Sequence, residues 1–482
     1  MSVGSRSSGP GNNPPLPSLV EIARDIRERR ISAAEAVEES LRRIEAWQPR
    51  VNAFVRIDAE TARAQARSID EALAAGNDPG PLAGVPLAHK DMFTRAGGTV
   101  SGGSAILGEL TGEETSTLLE RLDAAGAVTM GGLNMAEFAA GPTGHNAHYG
   151  HARNPWNTAH ITGGSSSGSG AAVASGQVYA ALGSDTGGSI RLPAAICGLA
   201  GIKPTYGRVS RHGAMPRSWS LDTVGPLARS VEDCALVFSA IAGYDPRDPT
   251  SSRLPAASFG QLLGQPLRGL RLGVARGEPF GPLHPQIGAA HEASLAVFER
   301  LGARLVPFDM PEPGALFALA DAVSKCEAAA MHGRWMRERR QDYSVHVYSR
   351  TEAGFMLPAT RYIEALGLRG RVTRDFIRTA FAEVDVLHLP VLTQPVPTIA
   401  ETDVDDPGAI PGMVGSLTRA TRPFNYLGLP SLALPCGFSE GNLPVAMQLV
   451  GRPFSEPRLF SLGHAYQKET DWHLQHPSLP LE

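Results

Sequence analysis

Between Gly163 and Arg191, two turns made almost wholly of glycine and serine bracket a short apolar run. No other stretch restricts the fold of this chain as much. Gly163-Gly164-Ser165-Ser166-Ser167-Gly168-Ser169-Gly170 leads into Ala171–Leu182, which reads as helix then strand. Gly183-Ser184-Asp185-Thr186-Gly187-Gly188-Ser189-Ile190-Arg191 follows. Glycine loses more conformational freedom on folding than any other residue, and buried hydroxyls need partners. Both costs are justified where backbone N–H groups and nucleophilic oxygens converge on one carbonyl. Ser189, in a tight turn after Thr186-Gly187-Gly188, is the candidate nucleophile, and the N–H groups of that turn are the candidate oxyanion hole.

A serine hydroxyl is a weak nucleophile until something removes its proton. No histidine lies between His160 and His212, although a distant one could fold in. Lys90 offers another base. It follows the apolar strand Val85-Pro86-Leu87-Ala88, where desolvation would disfavour its charge and leave an amine able to accept a proton through Ser165. Taken alone, a lysine after a strand reads more simply as a solvated surface charge.

The rest of the chain predicts an α/β fold with a buried mixed sheet. Ser32 and Glu35 form a capping box for a helix over 32–47. Further helices are predicted over 115–125, 230–241, 285–301, 315–340, 358–381 and 457–469. Strands are predicted over 84–88, 127–130, 269–275, 303–308, 385–389, 431–435 and 445–450. Residues 141–164 show no period and read as a long functional loop, and 401–415 as an acidic surface loop. Residues 1–17 read as a flexible arm, and 18–482 as one domain. The net charge of -4 offers no basic face for nucleic acid. No apolar run is long enough to span a bilayer. Four widely spaced cysteines, Cys197, Cys234, Cys326 and Cys436, fit reduced thiols in a cytoplasmic protein.

Three stretches carry a resemblance to the amidase signature family: Gly84–Asp91, Gly163–Gly170, and Gly183–Arg191 running on to Lys203-Pro204-Thr205. The spacing of twenty-four residues from Ser165 to Ser189 is similar to that family's, as are Asn134–Phe138, Asn154-Pro155-Trp156, Asp222–Ala228 and Asn425–Pro430. The likeness runs from about residue 18 onward. It implies a single domain with a central mixed β-sheet covered by helices on both faces, a signature core over about 80–245 and a variable, pocket-shaping region over about 310–415. It also implies a Ser-cis-Ser-Lys triad: Ser189 forms the acyl-enzyme, Ser165 follows a cis peptide from Gly164 and bridges, and Lys90 is the base. The N–H groups of Thr186, Gly187, Gly188 and Ser189 would hold the oxyanion. The family reading needs no cofactor and no metal. It implies C–N bond cleavage in a primary amide, an anilide or a carbamate, with substrate and water as the partners, no nucleic acid and no membrane; relatives are often homodimers. The same family includes the glutaminase subunit of tRNA-dependent amidotransferases, which docks a partner and passes it ammonia. The Thr470–His473 ending looks more like free-standing amidases. A silent partner-binding protein is a third reading, opposed by the intact Lys90, Ser165 and Ser189.

Other patterns compete. Gly164-Ser165-Ser166-Ser167-Gly168 also fits G-x-S-x-G, with Ser166 as nucleophile and Asp385 and His388 as partners. That reading leaves the turn around Ser189 unexplained. His145, His148 and His151 could suggest a metal, but the sequence places no carboxylate near them and loop spacing fixes no ligand geometry. Asp185 and Arg191 read as a brace for the nucleophile turn, with an acidic substrate on Arg191 as the lesser reading. The helix carrying Met331, Trp335 and Met336 either packs on the core or lines a substrate funnel.

Overall fold

The helix predicted from Ser32 runs Ala33–Val51, and its capping box forms: Ser32 Oγ accepts the Glu35 N–H at 3.0 Å, and a Glu35 carboxylate oxygen accepts the Ser32 N–H at 2.7 Å. In this computed structural model residues 16–108, 110–404 and 406–478 are described. The predicted arm lies outside them except for Leu16 and Pro17.

Eleven strands form one sheet among the described residues. They are β1 (Phe54–Ile57), β2 (Pro86–Lys90), β3 (Val128–Leu133), β4 (Ala180–Asp185), β5 (Ala200–Lys203), β6 (Thr223–Ala228), β7 (Arg271–Arg276), β8 (Arg304–Asp309), β9 (Val386–Pro390), β10 (Ser431–Phe438) and β11 (Pro444–Val450). Their spatial order is β1-β3-β2-β4-β6-β5-β10-β11-β9-β7-β8. β2 lies parallel to both β3 and β4, whereas β4, β6, β5, β10, β11 and β9 follow one another antiparallel. This is the predicted mixed sheet flanked by helices, and it is one α/β domain. Every residue of β2, β4 and β6 is buried, as a sheet covered on both faces requires.

Several elements depart from the sequence reading: the short strands β1, β5 and β6 were not predicted, nor were the helices Leu19–Arg27, Ala59–Ala74 and Val345–Glu352. Part of the expected loop 401–415 is helical, over Ile410–Thr418, because Ile410, Val414 and Leu417 recur on one face and bury there. Residues 141–164 form no helix or strand, only isolated bridges from Arg153 to Ile161 and from His160 to Thr398. Among the described residues, no helix is long and apolar enough to cross a membrane.

Candidate active site

The central strands carry the chemistry to one end of the sheet. β2 delivers Lys90 at its last residue, fully buried. Its Nζ donates to Ser165 Oγ at 2.7 Å and to Ser184 Oγ at 2.9 Å, and no carboxylate touches it. Burial pushes the Lys90 ammonium down to about 7, against the opposing pull of Asp222 and Asp185. The solvated-surface reading of this lysine does not hold. Ser165 follows a cis peptide from Gly164 and starts the turn into the helix Ser167–Ala174. Gly164 admits no side chain: a Cβ there would stand 2.5 Å from the Gly141 carbonyl oxygen.

β4 ends at Asp185, and the following turn presents Ser189, which is 9% exposed. Among the described residues the Ser189 hydroxyl makes no hydrogen bond, so a hydrogen bond joins Lys90 to Ser165 and none joins Ser165 to Ser189. The N–H groups of Thr186, Gly187 and Ser189 meet no acceptor among those residues either. Gly188, read from sequence as a fourth donor, already gives its N–H to Asp185 Oδ1 at 2.8 Å.

Asp185 organises this turn. It accepts from the N–H groups of Gly188, Ile190 and Arg191, from the Asn425 amide, and from the Arg191 guanidinium at 3.0 Å. Burial opposes its charge, but Arg191 outweighs it and holds the carboxyl well below the usual range. Arg191 also donates to the Thr421 carbonyl, Gln448 and Asn425. With its donors spent, it is a brace and has none to offer an acidic substrate. Asn425 and Gln448 were invisible as turn residues in the sequence, because they arrive from the far half of the chain.

The competing motifs fall elsewhere. Ser166 Oγ exchanges hydrogen bonds with the Ser184 backbone at 3.3 Å in both directions and is fully buried. Asp385 pairs with Arg271 at 3.0 Å, and His388 bonds to Ser294 at 2.8 Å, so no hydrolase triad forms around Ser166. Carboxylates do reach the histidine loop: His148 meets Glu137 at 2.8 Å, and His151 lies 3.5 Å from Asp403. Ligand atoms of His145, His151 and Asp403 fall within 4.8 Å of one another, a spacing a cation could bridge. His145 Nε2 meets the Thr402 hydroxyl at 3.0 Å, and His151 Nδ1 accepts the Asn146 N–H at 3.0 Å.

The predicted helix over 315–340 spans Pro313–Glu338. Its Trp335 stacks on Phe138 with centroids 5.8 Å apart, and Met336 is buried beside Tyr343. The apolar side therefore packs, while Asp321 and Lys325 on the same helix line a cavity.

The amidase family model matches residues 35–460, and the chain belongs to this family of C–N bond hydrolases, the amidase signature enzymes. It is 41% identical to a glutamyl-tRNA(Gln) amidotransferase subunit of Cupriavidus taiwanensis, over 96% of this chain and 98% of that one. It is 38% identical, with a TM-score of 0.87, to a chain from a vestigial protein complex described as revealing the evolutionary origins of an s-triazine catabolic enzyme, over 94% of this chain and 98% of that one. The peptide amidase of Stenotrophomonas maltophilia is 30% identical, with a TM-score of 0.83, over 96% and 99%. The first likeness corrects the expectation that substrate and water are the only partners and that nucleic acid has no part. That relative is named as one subunit of an enzyme, and its activity is named for a tRNA. A net charge of -4 argues only against a basic face on this chain.

Proposed function

We propose that the chain is the glutamine-hydrolysing subunit of a tRNA-dependent amidotransferase, with Ser189 as nucleophile, Ser165 as bridge and Lys90 as base. Ser189 Oγ attacks the side-chain carboxamide carbon and passes its proton to Ser165, whose own proton goes to Lys90. The N–H groups of Thr186, Gly187 and Ser189 stabilise the oxyanion. The C–N bond breaks as Lys90 returns the proton through Ser165 to the leaving nitrogen, releasing ammonia. Water then attacks the ester carbon, again deprotonated through Ser165, and frees glutamate and Ser189. The observation that supports glutamine is the 41% identity, along 96% of this chain, to a protein of that name. Such a role belongs to the cytoplasm, where thiols stay reduced, and all four cysteines are free.

Free-standing hydrolysis of an amide, anilide or carbamate is the second reading, favoured by the 30% identity to a peptide amidase. The Thr470–His473 ending adds nothing to it. Trp472 packs against Phe438 with centroids 6.0 Å apart, a contact that packing alone accounts for. Release of ammonia from glutamine, and of the arylamine from a small anilide and an N-aryl carbamate, separates the readings, with Ser189→Ala as control. Glutamine turnover that vanishes in the variant is expected. A kcat/KM at least about tenfold higher for the anilide or carbamate would put the second reading first.

A further inference from the structure

One carboxylate outside the triad bears on both the oxyanion turn and Lys90. Asp222, the residue before β6, is 7% exposed. Its Oδ1 accepts the Thr186 hydroxyl at 2.5 Å, and its Oδ2 accepts the N–H groups of Arg217 and Ser218 at 2.8 and 2.9 Å. Each of these partners is a donor, as suits an ionised carboxylate, and the Thr186 bond has the length of a charge-assisted one. Burial raises the Asp222 carboxyl above its ordinary range, and these hydrogen bonds pull against that. Among the described residues the Thr186 hydroxyl has no other hydrogen bond, so Asp222 is what holds that side chain.

The segment that supplies the two N–H groups is itself anchored. Glu327, wholly buried on the helix Pro313–Glu338, accepts the hydroxyls of Ser218 and Ser220, and the Ser220 N–H and the Tyr362 hydroxyl at 3.0 Å each. Support thus runs from that helix through Ser218 and Asp222 to the turn that ends at Ser189.

The same carboxylate faces the base. Asp222 and Ser184 line one cavity of about 540 Å³, and Ser184 Oγ is one of the two hydroxyls on Lys90 Nζ, at 2.9 Å. Asp222 and Asp185 are the charges that favour the Lys90 ammonium, but Asp185 is committed to Arg191 at 3.0 Å. Arg211 and Arg217 attract Asp222 from further off, with no ion pair to it among the described residues.

We propose that Asp222 is a positioning residue for both halves of the reaction: it fixes Thr186, whose N–H is one of the oxyanion donors, and it turns a negative charge toward the amine of Lys90. No bond or proton changes hands at it. The proposal rests on the reading of Ser189 as nucleophile and Lys90 as its base.

Labelling of Ser189 in the full chain by a fluorophosphonate, followed against pH, tests this without a choice of substrate. Ser189 Oγ displaces fluoride at phosphorus, so the rate needs a neutral Lys90 and a formed oxyanion turn. In the parent it should rise to a plateau with a midpoint at about 7. Asp222→Asn keeps the shape and an acceptor for the two N–H groups but removes the charge. Its midpoint should move down by at least about 0.5 in pH, because the ammonium loses support. A carboxylate that served the fold alone would change the melting temperature and leave the midpoint in place. Thr186→Val should keep the midpoint and lower the plateau at least about tenfold, and Thr186→Ser should recover most of that loss. The Thr186 variants carry the test even if Asp222→Asn does not fold. A midpoint unmoved in a folded Asp222→Asn protein, or a Thr186→Val plateau within about twofold of the parent, would overturn the proposal. Failure of the underlying reading looks different: the parent then takes no label on Ser189 at any pH, and the proposal falls with it.

Discussion

At the scale of single residues, Lys90 carries the sharpest consequences. Two hydroxyls contact its Nζ, at 2.7 and 2.9 Å, and burial lowers its affinity for a proton to about 7 from an ordinary 10.5. As a base it must be neutral, so kcat/KM should rise through about pH 7 and level off above it. A rate flat from acid pH upward would contradict a lysine base. The same shift sets a stability trend. Between about 7 and 10.5 the unfolded chain binds the proton and the folded chain does not, so the Lys90 contribution to stability improves as pH rises through that window. Lys90→Met should therefore lose at least about a hundredfold in kcat, yet unfold at higher denaturant than the parent at pH 6, with the gap closing toward pH 10. A variant less stable than the parent at pH 6 would show that the amine's two hydrogen bonds outweigh its desolvation. Much of this was legible in advance, since Lys90, Ser165 and Ser189 sit in local runs of unusual composition. What was not legible is non-local. Glu327 stands on a distant helix, and only the fold sets it behind Ser218 and the Asp222 that holds Thr186.

At the scale of elements, the turn from β4 into the helix Arg191–Cys197 depends on one glycine more than on its serine. Gly188 has φ of +135°, and a Cβ there would stand 2.5 Å from Thr421 Oγ1, which itself donates to the Gly187 carbonyl at 2.6 Å. An L side chain is strained in that backbone region whatever room it is given. Gly188→Ala should cost about a hundredfold in kcat through displaced oxyanion donors, and adding Thr421→Ala should not restore it, because the clash goes while the dihedral stays. Activity within twofold of the parent in the single variant would mean that the turn is not the oxyanion site. The sequence announced this turn through its Thr-Gly-Gly-Ser run but could not show which N–H groups stay free. That depends on Asp185, whose carboxylate takes the Gly188 donor. Regular elements were legible where capping and period agreed, as in the Ser32 helix. They were missed where a strand is four residues long, as in β1, or where a Gly- and Pro-rich opening hid an apolar face, as in Ile410–Thr418.

At the scale of the whole molecule, the sheet joins distant parts of the chain. β10 pairs with β5 through Ser431↔Lys203, Leu432↔Ile202 and Ala433↔Gly201, which places late strands beside early ones inside one sheet. Residues 244–268, rich in Pro, Asp, Ser and Arg, mark a change of composition and not a boundary between folding units. Scanning calorimetry should give a single cooperative transition; two resolved transitions, or a stable fragment after cleavage near residue 255, would contradict one continuous core.

The brace around Asp185 also bears on timing. Lys90, Ser165 and Ser189 all leave the ribosome well before Asn425 and Gln448, which hold Asp185 and Arg191 in register. A nascent chain thus carries Ser189, the proposed nucleophile, long before it carries the parts that hold its turn. On the proposed mechanism, hydrolytic competence should arrive only after Gln448 has been made, so a copy whose translation stalls before it would be chemically silent.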